Sequence, residues 1–131
     1  MGTIKPIYTV SEQLMDEVDP TLLDLVKTTV NSFTKWDLAR FYSENPHVIV
    51  TAETVARRLK CNNLAAIRLA LEELADGGLI QKFVYDETTS YYALAADERT
   101  KDLVNSFIVA CEDDDFRLKT VYHITQEMFR I

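Results

Sequence analysis

The sequence predicts a mainly α-helical fold with a small β-hairpin (an α+β arrangement), and three observations carry that expectation. Leu64, Ile67, Leu71 and Leu74 recur at intervals of three and four, with Ala70 beside them, so one stripe of a helix faces a core. Gly77 and Gly78 follow and stop that helix, because glycine takes the left-handed backbone without steric cost. Leu79 to Tyr85 and Ser90 to Leu94 are then apolar, β-branched and aromatic on either side of the polar Asp86-Glu87-Thr88-Thr89, which reads as two strands and their turn. The 131 residues, 47% of them hydrophobic, suit a single domain with an ordinary core.

The first eighteen residues carry no strong pattern, and Ile4 to Val10 reads as an extended arm. Asp19-Pro20 is a helix start, since proline lacks an N–H where none is needed. Leu22, Leu23, Leu25, Val26 and Val30 give the helix from Pro20 to Val30 a broad apolar face, so the N-terminal helix spans 19–30. Ser32 or Thr34 restarts a helix through Trp36, Leu38, Phe41 and Tyr42, ending near Asn45 because Pro46 pushes its predecessor out of the α region. Val48-Ile49-Val50 suits a short strand. Thr51 caps a helix from Ala52 that sets Val55, Ala56 and Leu59 on one face. Cys61-Asn62-Asn63 breaks the period, and either asparagine can cap the helix that follows. Beyond the hairpin, Ala96 to Cys111 reads as a helix, with Leu103, Val104, Phe107, Ile108 and Cys111 along its stripe. Glu112 to Asp115 is a charged break before a last helix carrying Leu118, Val121, Tyr122, Thr125, Met128 and Phe129.

The run LKCNNLAAIRLALEELADGGLI resembles the turn, recognition helix and exit of bacterial winged helix-turn-helix regulators of the broad MarR, ArsR and PadR kind. Leu71, Leu74, Gly78, Leu79 and Ile80 match the spacing of the helix end and first wing strand there. Ala56 stands where the family has a small residue between its two helices. At motif level the resemblance covers about a third of the chain. It implies a winged helix-turn-helix head over 32–94, with the N-terminal helix and the C-terminal helices over 96–131 as extra flanks. It also implies double-stranded DNA as partner and a homodimer, because apolar flanks beyond what a small head can cover can pair across a two-fold axis.

Charge distribution bears on that partner. The net charge is −7 and the pI near 4.8, which repels polyanions at long range. Residues 31–82 nevertheless hold seven basic side chains against six acidic ones. Arg57, Arg58, Lys60 and Arg68 lie in a stretch without any acid between Glu53 and Glu72. In the resembled family this stretch faces DNA, where Lys and Arg neutralise phosphates. Asn62, Asn63 and Arg68 can read base edges, with Ala65, Ala66 and Leu69 on the same exposed face and Lys82 at the base of the wing. Family members often carry Thr and Ser where Ala66 and Arg68 stand here. Phe83 to Glu98 holds no Lys or Arg, and Asp86 and Glu87 occupy the wing tip.

Other classes find little support. No Gly-rich phosphate loop, nucleophile elbow or His-Glu-Xaa-Xaa-His pattern occurs, so an enzyme is not expected. Cys61, Cys111, His47 and His123 are too dispersed for a metal site, and no cofactor is implied. No apolar run approaches the ~20 residues that cross a bilayer, and no secretory leader opens the chain, so a cytoplasmic protein is expected. The acidic total and bare wing favour a second reading, a winged helix used for protein–protein contact without DNA. A third reading adds a small-molecule effector in a cavity lined by Trp36, Phe41 and Tyr42.

Overall fold

The computed structural model describes residues 20–129, so the arm expected at Ile4 to Val10 lies outside the described residues. In chain order these residues form α1 (Pro20–Thr28), α2 (Phe33–Glu44), β1 (Ile49–Val50), α3 (Ala52–Arg58) and α4 (Leu64–Asp76). The hairpin β2 (Ile80–Val84) and β3 (Ser90–Leu94) follows, then α5 (Glu98–Ala110) and α6 (Asp114–Met128). The chain is thus mainly helical with a small antiparallel sheet in the order β1-β3-β2. Among the described residues no helix is long and apolar enough to cross a membrane.

Local chemistry sets the boundaries. Ser32, Thr51, Asn63, Asp97 and Asp113 each accept a hydrogen bond from the backbone N–H three residues ahead. Each such bond satisfies a first-turn donor that the helix itself leaves unpaired. Of the alternatives the sequence left open, Ser32 and Asn63 are the caps. The helix expected from Ala96 starts later, at Glu98, because Asp97 takes the capping position and its carboxylate meets Thr100 N at 2.9 Å. The first helix stops at Thr28, short of Val30, whose N–H reaches back to Leu25 O at 2.8 Å.

Two helices end alike. After α4, Gly78 has φ +83° and donates to Ala75 O, while Leu79 N donates to Leu74 O. After α3, Lys60 has φ +55° and donates to Arg57 O, while Cys61 N donates to Ala56 O. Both are Schellman caps, in which a left-handed residue lets two carbonyls at the helix end find donors. The first uses glycine and the second uses lysine, which costs more.

One core joins the elements. Val26, Leu38, Tyr42, Val55, Ile67, Leu71, Leu74, Val104, Phe107 and Ile124 are fully buried. Trp36 meets Phe107 edge-on at 6.1 Å, and Phe107 meets Phe116 in the same way. Tyr42 donates its hydroxyl to Tyr92 O at 2.9 Å, tying α2 to the sheet. Burial holds that phenol protonated far above its usual range. β1 pairs with β3 through Ile49 with Ala93 and Val50 with Tyr92.

The last helix differs from its expected orientation. Of the stripe Leu118, Val121, Tyr122, Thr125, Met128 and Phe129, Val121 packs half-buried against the core, but the fully inward face is formed by Phe116, Lys119, Thr120 and Ile124. Thr120 donates to Phe116 O at 3.0 Å, so its hydroxyl is satisfied within the helix and costs little to bury. Leu118, Met128 and Phe129 are left 57%, 61% and 77% exposed.

Candidate nucleic-acid interface

α3, the turn at Lys60 and α4 place the residues that the sequence singles out. Arg57, Arg58, Lys60, Asn62, Asn63, Ala65, Arg68, Leu69 and Lys82 are all exposed, and Ala66 is half-buried. Arg57 donates to Thr54 Oγ1 at 3.2 Å. The Arg58 guanidinium sits 6.0 Å from the Phe41 ring centre, a cation–π distance, at a groove of about 270 Å³ shared with Asp37, Arg40 and Glu44. Among the described residues Arg57, Arg58 and Lys60 enter no ion pair.

The other two cations are engaged within the chain. Arg68 pairs with Glu53 on the first turn of α3, and Lys82 pairs with Glu72 at 2.9 Å. Glu53 and Glu72 are the acids that bound the acid-free stretch in the sequence, and both fold back onto cations of the candidate surface. Glu72 also accepts from the Tyr92 hydroxyl at 2.5 Å. Hydrogen bonds from Lys82 and then Tyr92 hold the Glu72 carboxyl below its usual range. Burial first, then Glu72, pushes the Tyr92 phenol up to about 12. Glu53 is likewise held low, first by its own backbone amide and then by Arg68.

The geometry therefore divides the expected set. Arg68 lies in a cleft of about 180 Å³ with Glu53, Thr88, Ser90 and Tyr92, between α3, α4 and the hairpin. Arg58 faces α2 instead. Ala66 and Leu69 line a groove of about 350 Å³ that also includes Lys35, Glu73 and Met128. Leu69 is 62% exposed, an apolar side chain in the middle of the surface proposed to read DNA. The Asn63 side-chain oxygen is used at 3.0 Å by Ala66 N, which leaves its amide NH₂ to face outward. Of the expected set, Asn62 keeps both ends of its amide available among the described residues.

At the hairpin tip Asp86 Oδ1 accepts from Thr88 N at 2.8 Å and Thr89 N at 2.7 Å. The Thr88 amide in particular holds that carboxyl below its usual range, so the tip is anionic at neutral pH. The aromatic trio offered as an effector cavity packs as core: Trp36, Phe41 and Tyr42 are 6%, 5% and 1% exposed. A roomier groove, of about 540 Å³, lies between α1, α5 and the end of α4, lined by Asp24, Thr28, Gly78, Arg99 and Asp102 among others. Among the described residues no cluster of His, Cys, Asp or Glu is placed to hold a metal ion. Sequence reasoning missed Glu53, Thr88 and Tyr92 as neighbours of the basic set, since no local pattern links residues fifteen or twenty apart. Comparison with family models, curated proteins and solved structures returns no match for this chain.

Proposed function

We propose that this chain is a winged helix-turn-helix that binds double-stranded DNA as a homodimer and acts in transcriptional control. One observation carries the reading. A tight Schellman turn joins α3 to α4, and the exposed Arg57, Arg58 and Lys60, free of ion pairs among the described residues, stand at that turn. The order α2, β1, α3, α4, β2, β3, closed by a sheet in the order β1-β3-β2, supports the same reading.

In it, Arg57, Arg58 and Lys60 meet phosphates while the front of α4 enters the major groove. Arg68 exchanges Glu53 for a base edge. The exchange is cheap, because an exposed ion pair contributes only about 0–1 kcal/mol. The test is anisotropy of a labelled duplex pool at two salt concentrations. Arg58→Ala or Lys60→Ala should weaken binding to all sequences alike and lower the salt slope by about one for each phosphate left unneutralised. Arg68→Ala should cost on the order of 1–3 kcal/mol on a preferred site and relax preference at one base position. Absence of binding by the wild type to any duplex at low salt would end this reading.

A protein-binding winged helix is the second reading. The pairing of Arg68 and Lys82 with carboxylates favours it, as does the exposed Leu69 on α4. It predicts that none of these variants changes a salt-dependent association with DNA.

A further inference from the structure

Among the described residues the hairpin has an open edge. In the order β1-β3-β2, strand β2 pairs with β3 on one side only. Tyr85 N donates to Thr89 O, and Leu79 O accepts from Ala95 N, so Leu79 and Tyr85 turn their polar groups toward β3. By the alternation of an antiparallel ladder, Gln81 and Phe83 do the same. Lys82 and Val84 therefore aim their N–H and C=O groups outward, where no strand of the described chain meets them.

The strand lacks the usual protections of an edge. Such strands are commonly blunted by Lys, Pro or a bulge, yet Phe83, Val84 and Tyr85 are 41%, 69% and 76% exposed in succession. The one lysine, Lys82, turns to the α4 side and is held by Glu72 at 2.9 Å. Pleating puts Gln81, Phe83 and Tyr85 on the opposite face, where the Tyr85 and Tyr91 rings meet edge-on at 6.4 Å. Beside this apolar face stand Asp86 and Glu87, and the sequence from Phe83 to Glu98 supplies no cation to balance them.

We propose that the outer edge of β2 is a strand-addition site for an extended peptide with apolar side chains at alternate positions and Lys or Arg at its N-terminal end. Main-chain bonds to Lys82 and Val84 supply affinity, and alternate side chains against Phe83 and Tyr85 supply selectivity. An antiparallel incoming strand begins at the hairpin tip, which sets its basic end against Asp86 and Glu87. A second copy of this chain fits less well, because each copy brings its own acidic tip and a net charge of −7. The site shares only Lys82 with the candidate DNA surface, using its backbone rather than its side chain, and is separate from Arg57, Arg58 and Lys60, so it stands whether or not the chain binds DNA.

The probe is a labelled synthetic peptide with two lysines followed by alternating valine and threonine, compared with the same peptide carrying glutamate for lysine. Titrated into the full chain, the lysine peptide should bind, and the glutamate peptide should bind roughly tenfold more weakly, as two opposed charge pairs would give. Amide hydrogen exchange at Lys82 and Val84 should slow in the complex. Val84→Pro removes an outward N–H where an edge strand tolerates proline, and it should abolish that binding. Phe83→Lys, at an exposed position, keeps the proposal testable if the proline variant fails to fold, and it should also abolish binding. Equal binding of the two peptides overturns the proposal. So does unchanged exchange at Lys82 and Val84, or binding that survives in Phe83→Lys. Dimers of the wild type that vanish in Phe83→Lys, without peptide binding, would also overturn it and assign the edge to self-pairing.

Discussion

Glu53 and Lys60 act on the same surface in opposite senses, and each can be isolated by one substitution. Glu53 engages Arg68, so Glu53→Gln should release a cation to the proposed DNA surface. Duplex affinity at low salt should rise by several-fold, with a salt slope steeper by about one. Equal affinity would mean that Arg68 never reaches DNA. Lys60 sits at φ +55° in a cap that prefers glycine. Lys60→Gly should therefore stabilise the fold by about 1 kcal/mol in urea unfolding while weakening DNA binding. The opposite sign holds at Gly78, with φ +83° and nothing within 4 Å of a built Cβ. Gly78→Ala should cost about 1 kcal/mol from backbone conformation alone, with Gly78→Asn costing less. A Lys60→Gly variant that loses stability would show that the lysine side chain contributes an interaction outweighing its backbone strain.

Among the elements, what was legible in the sequence was local. The stripe of α4 could be read because its period and its glycine stop lie within fifteen residues, and Ile67, Leu71 and Leu74 are buried as expected. The Thr51 cap was legible for the same reason, and Ser32 and Asn63 each as one of two alternatives, since a capping side chain and its donor are three residues apart, whereas Asp97 was missed inside a helix read from Ala96. The basic set was also legible as a group of exposed residues. Its charge balance was not, because Glu53 reaches Arg68 and Glu72 reaches Lys82 only after the helices and sheet have packed. The face that α6 buries was hidden as well. Periodicity favoured the apolar stripe, whereas packing against Phe107 and a self-satisfied Thr120 turned the Phe116 and Ile124 side inward. His123 on that helix supplies a test of the packing. Its Nε2 is buried without a hydrogen-bond partner among the described residues, and burial, with a smaller effect from Lys27, lowers its pKa below 6.5 against the pull of Glu127. The unfolded chain therefore binds more protons at mildly acidic pH, and stability should fall as pH drops below 6.5 toward the lowered value. Urea midpoints at mildly acidic and neutral pH should differ less in His123→Gln than in the wild type. A difference of the same size in both would clear His123 of that role.

For the molecule as a whole, the net charge of −7 and the apolar surface of α6 pull assembly in opposite directions. Like-charged copies repel over about 8–10 Å at moderate salt. Leu118, Met128 and Phe129 nevertheless leave exposed apolar area that a single copy does not cover with its described residues. Burial of such area at ~25 cal/mol per Å² favours pairing once the surfaces touch. The proposed homodimer should therefore strengthen with added salt, the reverse of the proposed DNA binding, which salt would weaken. Light scattering should give twice 15.0 kDa at micromolar concentration and moderate salt. Leu118→Lys with Met128→Lys should return the chain to a monomer without unfolding it, since both side chains already face solvent. If the heads bind successive major grooves about 34 Å apart, that monomeric variant should also lose preference for a two-part site while keeping affinity for a half-site. A double variant that stays dimeric would move the interface off α6. A wild type that is monomeric at every salt concentration would remove the homodimer from the proposed function and leave each head to bind DNA alone.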